Sequence, residues 1–338
     1  MIDVAMLEQW LDASEIGTGP VGDVRPLAGG SQNIILRFRR GDEDFVLRRP
    51  PAHPRPESNE TMRREARVLA ALRGTDVPHP ELIAACGDET VLGAAFYLMR
   101  PVDGFNPASG LAPLHAGSAE VRHRLGLALV EGVAALHALD PVTIGLSDFG
   151  KAEGYLDRQV ARWQRQFAGY ADTPGWTGAA DLPALERLSE WLVAHQPPAC
   201  APGILHGDYH LANVMVRPDA PELAAIVDWE LATIGDPLID LGWLLATWPA
   251  PDGTGGTLSI QPWQGFPTSE ELVAHYAARS ARDLANIGWY RVFAAWKLAI
   301  LLEGTYARAC AGKADAQVGA RLHRRAMDLM SRAEGWIA

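Results

Sequence analysis

Lysine is almost missing from this chain. Its 338 residues carry 30 basic side chains, and only Lys151, Lys297 and Lys313 among them are lysines. Chemistry that needs a cation before residue 151 must therefore use arginine. Cysteine is scarce too. Cys86, Cys200 and Cys310 are odd in number, far apart and without a CxxC spacing. That pattern excludes a disulfide framework and a zinc ribbon, and it fits reduced thiols in a cytoplasmic protein. Long apolar runs are absent as well. The best candidate, "VFAAWKLAILL", is broken by Lys297 and too short to cross a bilayer. The start, "MIDVAMLEQWLD", lacks a positive n-region and reads as a short amphipathic helix, not a secretion signal. A basic block is also lacking. The net charge of -11 is spread, with 15 acids and 11 bases through residue 98 and 26 and 19 thereafter. Nucleic acid and anionic membranes are thus not expected partners; a small-molecule substrate is.

What is present is an ordinary globular composition, 48% hydrophobic and 21% charged, long enough for one large domain or two lobes with separate cores. The stretch "IILRFRR-GDED-FVLRRPP" reads as two short strands around a polar turn. Met62, Ala66, Leu69 and Leu72 then fall close to one helical face, and Gly74 closes that helix. "ELIAACGDETVLGAAFYLM" predicts two more strands around a turn. From about residue 117 the pattern becomes helical, interrupted by a ribbon at "NVMV" and "AAIVDW" and by a Gly/Pro-rich loop over 249–267. Thr268 with Glu271 predicts a capping box for the helix after that loop. The outline is α+β: a small antiparallel-sheet N-terminal lobe with one main helix, and a larger, mostly helical C-terminal lobe.

The stretch "ILHGDYHLANVMV" concentrates polar residues between apolar runs. Phosphoryl transfer needs an orienting carboxylate, oxygen ligands for Mg²⁺, a cover over the phosphates and a cation against them. In the kinase arrangement the carboxylate and an asparagine share one loop, and a second aspartate opens the next turn. Asp208 and Asn213 have that spacing, and Asp228 ends the facing run "AAIV". The competing reading is a polar hairpin whose Asp and Asn make turn hydrogen bonds. A zinc site on His206 and His210 is disfavoured, because their four-residue spacing suits ligands only on a helix.

"LHGDYHLANVMV" followed by "IVDWELATIGDPLIDLGWL" resembles the aminoglycoside phosphotransferase-like family, which has a protein-kinase-like two-lobed fold. "VDWELATIGDPLIDLGW", "VLRRPP" and "YLDRQVARW" are most similar to the kinase-like domains fused to some acyl-CoA dehydrogenases. The resemblance implies an ATP- and Mg²⁺-dependent phosphotransferase with an alcohol acceptor. It implies Asp208 as catalytic base, Asn213 and Asp228 as Mg²⁺ ligands, and His206 and Asp240 as braces of the loop. It also implies a nucleotide-binding lobe over 1–98, a hinge over 99–104 and a catalytic and substrate-binding lobe over 105–338.

In the N-terminal lobe Gly29, Gly30 and Ser31 of "GGSQN" are either a phosphate cover or an ordinary hairpin turn. Arg48 occupies the strand position where a kinase lysine is expected, and Glu65 is the helix acid to pair with it. Arginine is not interchangeable with lysine, so Arg48 either does the lysine's work or marks weak nucleotide binding. Met99 and Arg100 stand where adenine would meet main-chain groups.

For the acceptor, Arg158, Arg162 and Arg165 form a helical stripe beside Trp163 and Phe167, and Trp263 lies in the 249–267 loop. With His210 and Glu230 these are the candidate substrate residues. The stripe is either a solvated, salt-bridged face with the aromatics in the core, or a basic and aromatic acceptor surface. A surface of that kind suits an anionic or acyl-bearing substrate better than a polycationic aminoglycoside. Choline-type and sugar kinases, and a catalytically weak pseudokinase, are the alternatives.

Overall fold

Short apolar strands bounded by turn residues build a five-stranded sheet in the N-terminal part of the chain. The computed structural model describes residues 2–27, 33–51 and 55–338. The predicted phosphate-cover residues Gly29, Gly30 and Ser31 lie outside the described residues. Strands β1 (Val21–Pro26), β2 (Ile34–Arg40), β3 (Glu43–Arg49), β4 (Leu82–Cys86) and β5 (Phe96–Met99) pair antiparallel in the order β1-β2-β3-β5-β4. The predicted hairpin is the tight turn at Gly41-Asp42, with Arg40 opposite Glu43. Gly41 has φ +58°, and a Cβ there would lie 2.9 Å from the Thr18 carbonyl oxygen. Glycine meets both constraints.

Two helices cover this sheet. Helix α1 (Val4–Ala13) is capped by Asp3 and packs Leu7 and Leu11 into a small core with Phe38, Phe45, Leu47 and Phe96. Helix α2 (Ser58–Leu72) buries Met62, Ala66, Leu69 and Leu72 as the spacing predicts, and it also buries Glu65. An acid on the buried face is costly without a partner, so that helix face must meet a cation. Between β4 and β5 the predicted plain turn is a one-turn helix, α3 (Glu89–Leu92). Asp88 caps it and Gly93 ends it in the left-handed region.

The rest is mainly helical: α4 (Pro113–Gly117), α5 (Ala119–Ala138), α6 (Gln159–Ala168), α7 (Ala184–Ala194), α8 (Leu238–Thr247), α9 (Ser269–Ala277), α10 (Ile287–Cys310) and α11 (Ala316–Ile337). The capping box of Thr268 and Glu271 is present at α9. Two antiparallel ribbons interrupt the helices. One joins β7 (Val214–Val216) to β8 (Leu223–Ile226), as predicted. The other joins β6 (Gly203–Leu205) to β9 (Thr233–Gly235). Three-residue strands carry no periodicity, which is why the second ribbon leaves no signal in the sequence.

Helix α8 is buried along its whole length, Asp240 included. Phe105 and Val216 exchange main-chain hydrogen bonds of 2.9 Å, and Ile226 N–H donates to Pro78 O at 2.8 Å, tying the ribbon to the segments flanking the sheet. Among the described residues no helix is long and apolar enough to cross a membrane. The 249–267 loop folds inward. Trp263 is only 2% exposed and stacks on Phe266 at 4.3 Å and against Trp248 at 5.0 Å. Trp263 is therefore core, and its expected role in contacting substrate is not supported. Aromatic burial outweighs the polar, loop-like composition around it.

Candidate active site

The two ribbons deliver the polar loop to one place. After β6 the chain runs through His206 to Asn213 before entering β7, and β8 returns it to Asp228. Val227 N–H donates to Asn213 O at 2.9 Å, which locks the two segments side by side. Asn213 Nδ2 donates to the Asp208 carbonyl at 2.9 Å and to Asp208 Oδ2 at 3.0 Å. Those bonds fix the amide orientation and leave Asn213 Oδ1 as an acceptor for something else. His210 Nδ1 accepts from Ala212 N–H at 3.1 Å, so the ring proton sits on Nε2, 3.2 Å from Asp208 Oδ1. Burial pushes the Asp208 pKa up, but His210, His206 and Lys297 outweigh it and hold the carboxyl below its ordinary value. The group is therefore ionised at neutral pH.

The loop is braced from below. Asp240 Oδ2 accepts from His206 N–H at 2.6 Å and its Oδ1 accepts from Gly207 N–H at 2.8 Å. Asp208 N–H donates to His206 Nδ1 at 3.3 Å, which leaves the proton on Nε2 to donate to Val227 O at 2.9 Å. His206 thus bridges the loop to the strand end that carries Asp228. Gly207 has φ +88°, and a Cβ there would lie 2.6 Å from Leu231 O. Gly207→Ala should therefore lose about 1–3 kcal/mol through left-handed strain and contact. Thermal unfolding together with kcat checks this; a wild-type melting curve with full activity would contradict the tight packing.

Arg48 is the hub of the cleft. Its Nη2 donates to Asp228 Oδ1 at 2.7 Å and to Glu65 Oε1 at 3.4 Å. Its Nε forms an ion-pair contact of 3.2 Å with Glu65 Oε2 that falls short of hydrogen-bond geometry. Tyr97 O–H donates to Glu65 Oε2 at 2.8 Å. So the expected pairing of the strand cation with the helix acid is present, with arginine spanning on to Asp228. Burial drives Glu65 up to about 7, against the pull of Arg48 and Tyr97. Burial works against the Arg48 charge as well, but Tyr97, Glu65 and Asp228 together raise its pKa further. Asp228 sits at φ 67°, ψ 62°. A left-handed aspartate costs about 1–2 kcal/mol, and strain of this kind collects at functional sites. Arg64 anchors α2 to the segment beyond Asp228 by donating to Phe149 O and Ala232 O.

A cavity of about 460 Å³ lies above these groups, of a size suited to a nucleotide-sized ligand. Ile35, Val46, Met99, Phe105, Met215 and Val227 supply apolar wall, while Arg48, Asn213, Asp228 and Glu230 line its polar end. Arg100 also lines it, but its N–H is taken by Glu81 O at 2.9 Å and its guanidinium pairs with Glu43 at 2.6 Å. Only its carbonyl remains to be offered. Glu230 Oε2 is 4.0 Å from Arg48 Nη2, and burial raises its pKa. Glu230 thus belongs to the cavity side and not to a separate acceptor surface, because the short helical turn after Asp228 directs it back to Arg48.

Three carboxylates around one guanidinium leave an excess of negative charge. Among the described residues no group of three His, Cys, Asp or Glu side chains is arranged to hold a metal by itself. Asp228 and Asn213 Oδ1 are hard oxygen donors, and they fit Mg²⁺ shared with phosphate oxygens, an ion that keeps water and substrate ligands.

Arg162 is exposed on α6, its guanidinium 5.3 Å from the Trp163 ring. It lines an open, mainly basic cavity with Lys151, Arg158 and Arg165, which Asp157 also lines. Among the described residues no carboxylate lies within 4 Å of the three stripe arginines. The face is thus solvated, with Arg162 and Arg165 exposed and Trp163 in the core as the blander reading held, but it is not salt-bridged. Sequence reasoning missed Tyr97, His137 and Lys297. His137 is buried against Asp240 at 3.4 Å and Tyr276 at 2.9 Å. A histidine or tyrosine inside an apolar run gives no sign of what it will meet.

The sequence profile of the phosphotransferase enzyme family APH matches residues 23–291. The chain is 33% identical over 304 residues to acyl-CoA dehydrogenase family member 11 of Gallus gallus, covering 87% of this chain and 38% of that protein. It thus spans about two fifths of that curated relative. A solved Ralstonia eutropha jmp134 protein, provisionally assigned as an aminoglycoside phosphotransferase, is 30% identical with a TM-score of 0.80 over 99% of each chain. At 17% identity and a TM-score of 0.60, the fold also matches a thermostable aminoglycoside phosphotransferase APH(4)-Ia mutant solved with ADP and hygromycin B, covering 96% of this chain and 97% of that one. The chain belongs to the phosphotransferase enzyme family and has a protein-kinase-like fold.

Proposed function

We propose that the chain transfers the γ-phosphate of ATP to a hydroxyl of a non-aminoglycoside metabolite such as a hydroxyacyl compound. Residues 1–98 would form the nucleotide-binding lobe, 99–104 the hinge, and 105–338 the catalytic and acceptor lobe. The observation that carries this reading is the convergence of Asn213, Asp228 and Arg48 on one cavity edge, with Asp208 held against Asn213. Adenine occupies the apolar end by Met99, and the phosphates extend towards Arg48, whose planar fork suits oxyanions. Asn213 and Asp228 would hold Mg²⁺, which when bound would supply charge neutralisation on the phosphates. Asp208 takes the proton of the acceptor hydroxyl as its oxygen bonds to the γ-phosphorus. The bond from that phosphorus to the bridging oxygen breaks in line, leaving ADP.

The pseudokinase alternative loses support from Arg48, which makes the ion pair expected of the strand lysine. An aminoglycoside acceptor loses support from α6, whose unpaired arginines would repel a polycation. ADP release with Mg-ATP and two acceptor panels tests the reading. Hydroxyacyl thioesters and hydroxy acids should be phosphorylated, aminoglycosides should not, and EDTA should abolish turnover. Rapid phosphorylation of aminoglycosides with none of the acyl compounds would overturn it.

A further inference from the structure

Lys297 projects from α10 into an environment that leaves its charge unanswered. Its Nζ lies 4.6 Å from the Trp243 ring centroid and 5.3 Å from that of Trp163. Among the described residues it has no carboxylate within 4 Å and no hydrogen-bond partner. The side chain is half-buried, and its ammonium reaches solvent without an ion pair inside the fold. The Nε1–H groups of Trp163 and Trp243, by contrast, are buried without an acceptor, in side chains 6% and 3% exposed. Unmet donors of this kind are expensive unless something supplies oxygen atoms. Aromatic faces stabilise an ammonium by about 0.5–2 kcal/mol but do not satisfy its three N–H groups.

Position gives the orphan cation a meaning. Lys297 is close enough to Asp208 and Asp240 to feel both charges, and Arg162 adds positive potential from α6. The nucleotide-sized cavity is lined by Asn213 and Asp228 but not by Lys297, Trp163 or Trp243. Lys297 therefore lies within electrostatic range of Asp208 and outside the lining of the nucleotide-sized cavity. A purely structural lysine would be expected to close onto Asp208 or Asp240 as a direct ion pair, and it does not. Burial has also pushed its pKa down to about 8, the mark of an ammonium held short of partners.

We propose that Lys297 binds an oxyanion of the acceptor, a carboxylate or a phosphate, and thereby sets the substrate hydroxyl against Asp208. The assignment rests on the kinase reading above and deepens it: the acceptor is an anionic hydroxy compound, and Lys297 selects it. A cationic acceptor is rejected by the same residue, since like charge at a desolvated site is a strong discriminator.

Three acceptors separate the sources of the anion: a short hydroxycarboxylic acid, its methyl ester, and the hydroxyacyl thioester of coenzyme A, whose phosphates carry the charge. The wild type should prefer one or both anionic compounds to the ester. Lys297→Met should raise the KM of the preferred anion about 10- to 100-fold, the loss of one charged hydrogen bond. It should leave the KM for ATP and for the ester unchanged, and Lys297→Arg should recover part of the preference. An unchanged acid-to-ester ratio in Lys297→Met, or an effect on ATP alone, would overturn the proposal. Calorimetric binding of the same compounds to the Asp208→Asn protein separates this from the kinase reading. Lys297-dependent binding of the anion there, with no phosphoryl transfer by the wild type, would uphold the site and sink only the reaction.

Discussion

Asp208→Ala should lower kcat for phosphoryl transfer about 10²- to 10⁴-fold, the range for a positioned general base, while nucleotide affinity barely moves. The separation follows from geometry. Asp208 is absent from the lining of the nucleotide-sized cavity, whereas Asn213 and Asp228 are part of it. Asn213 keeps its hydrogen bond to the Asp208 carbonyl when the side chain is removed, so the metal-facing amide stays in place. Asp208→Asn is the sharper variant. It preserves shape, removes the basic oxygen and presents an amide to His210 and Asn213 in place of a carboxylate. Single-turnover kinetics with Mg-ATP, beside nucleotide binding by calorimetry, checks both. Wild-type turnover by either variant would remove Asp208 from the chemistry and return the loop to a polar hairpin.

The loop was legible because its evidence is local. Two short apolar runs bracket the eight residues 206–213, and Asp208 and Asn213 fall at fixed offsets within them. Glu65 was also accessible, as an acid in register with Met62, Ala66 and Leu69 on an apolar helix face. What the sequence hides is which distant groups meet. Arg48 and Asp228 are 180 positions apart, and nothing near either one names the other. Lys297 reads in one dimension as the charge that interrupts an apolar run. In the fold it is a cation between two tryptophans, a fact set by the packing of α10 on α6 and α8. Trp263 errs in the other direction. Its surroundings are rich in glycine and proline, yet a cluster of three aromatics, Trp248, Trp263 and Phe266, draws the loop into the core.

Arg48→Met should be the most damaging change in the N-terminal lobe, destabilising the fold by about 3–5 kcal/mol and abolishing tight nucleotide binding. Breaking a buried ion pair leaves its partners without compensation, and that penalty exceeds what the pair itself contributed. Here the abandoned groups are Glu65, which is 1% exposed, together with Asp228 and Glu230. Glu65 already titrates at about 7, so part of the penalty is relieved by its taking up a proton. Without Arg48 that value rises further, so the loss in Arg48→Met should be largest at alkaline pH and level off as pH falls towards 7, where both proteins hold a neutral Glu65. A second change makes the cause visible. Adding Glu65→Gln to Arg48→Met removes the stranded charge and should recover part of the stability at pH 8, while nucleotide binding stays lost. That non-additivity is expected only of residues in one network. Arg48→Lys should fall between, because a point charge cannot span Glu65 and Asp228 at once. Denaturant unfolding at pH 6 and pH 8, with ATP binding measured on the same proteins, decides the matter. Strict additivity of the two substitutions at both pH values would show that Arg48 and Glu65 do not act as the coupled pair that carries the phosphate cation into place.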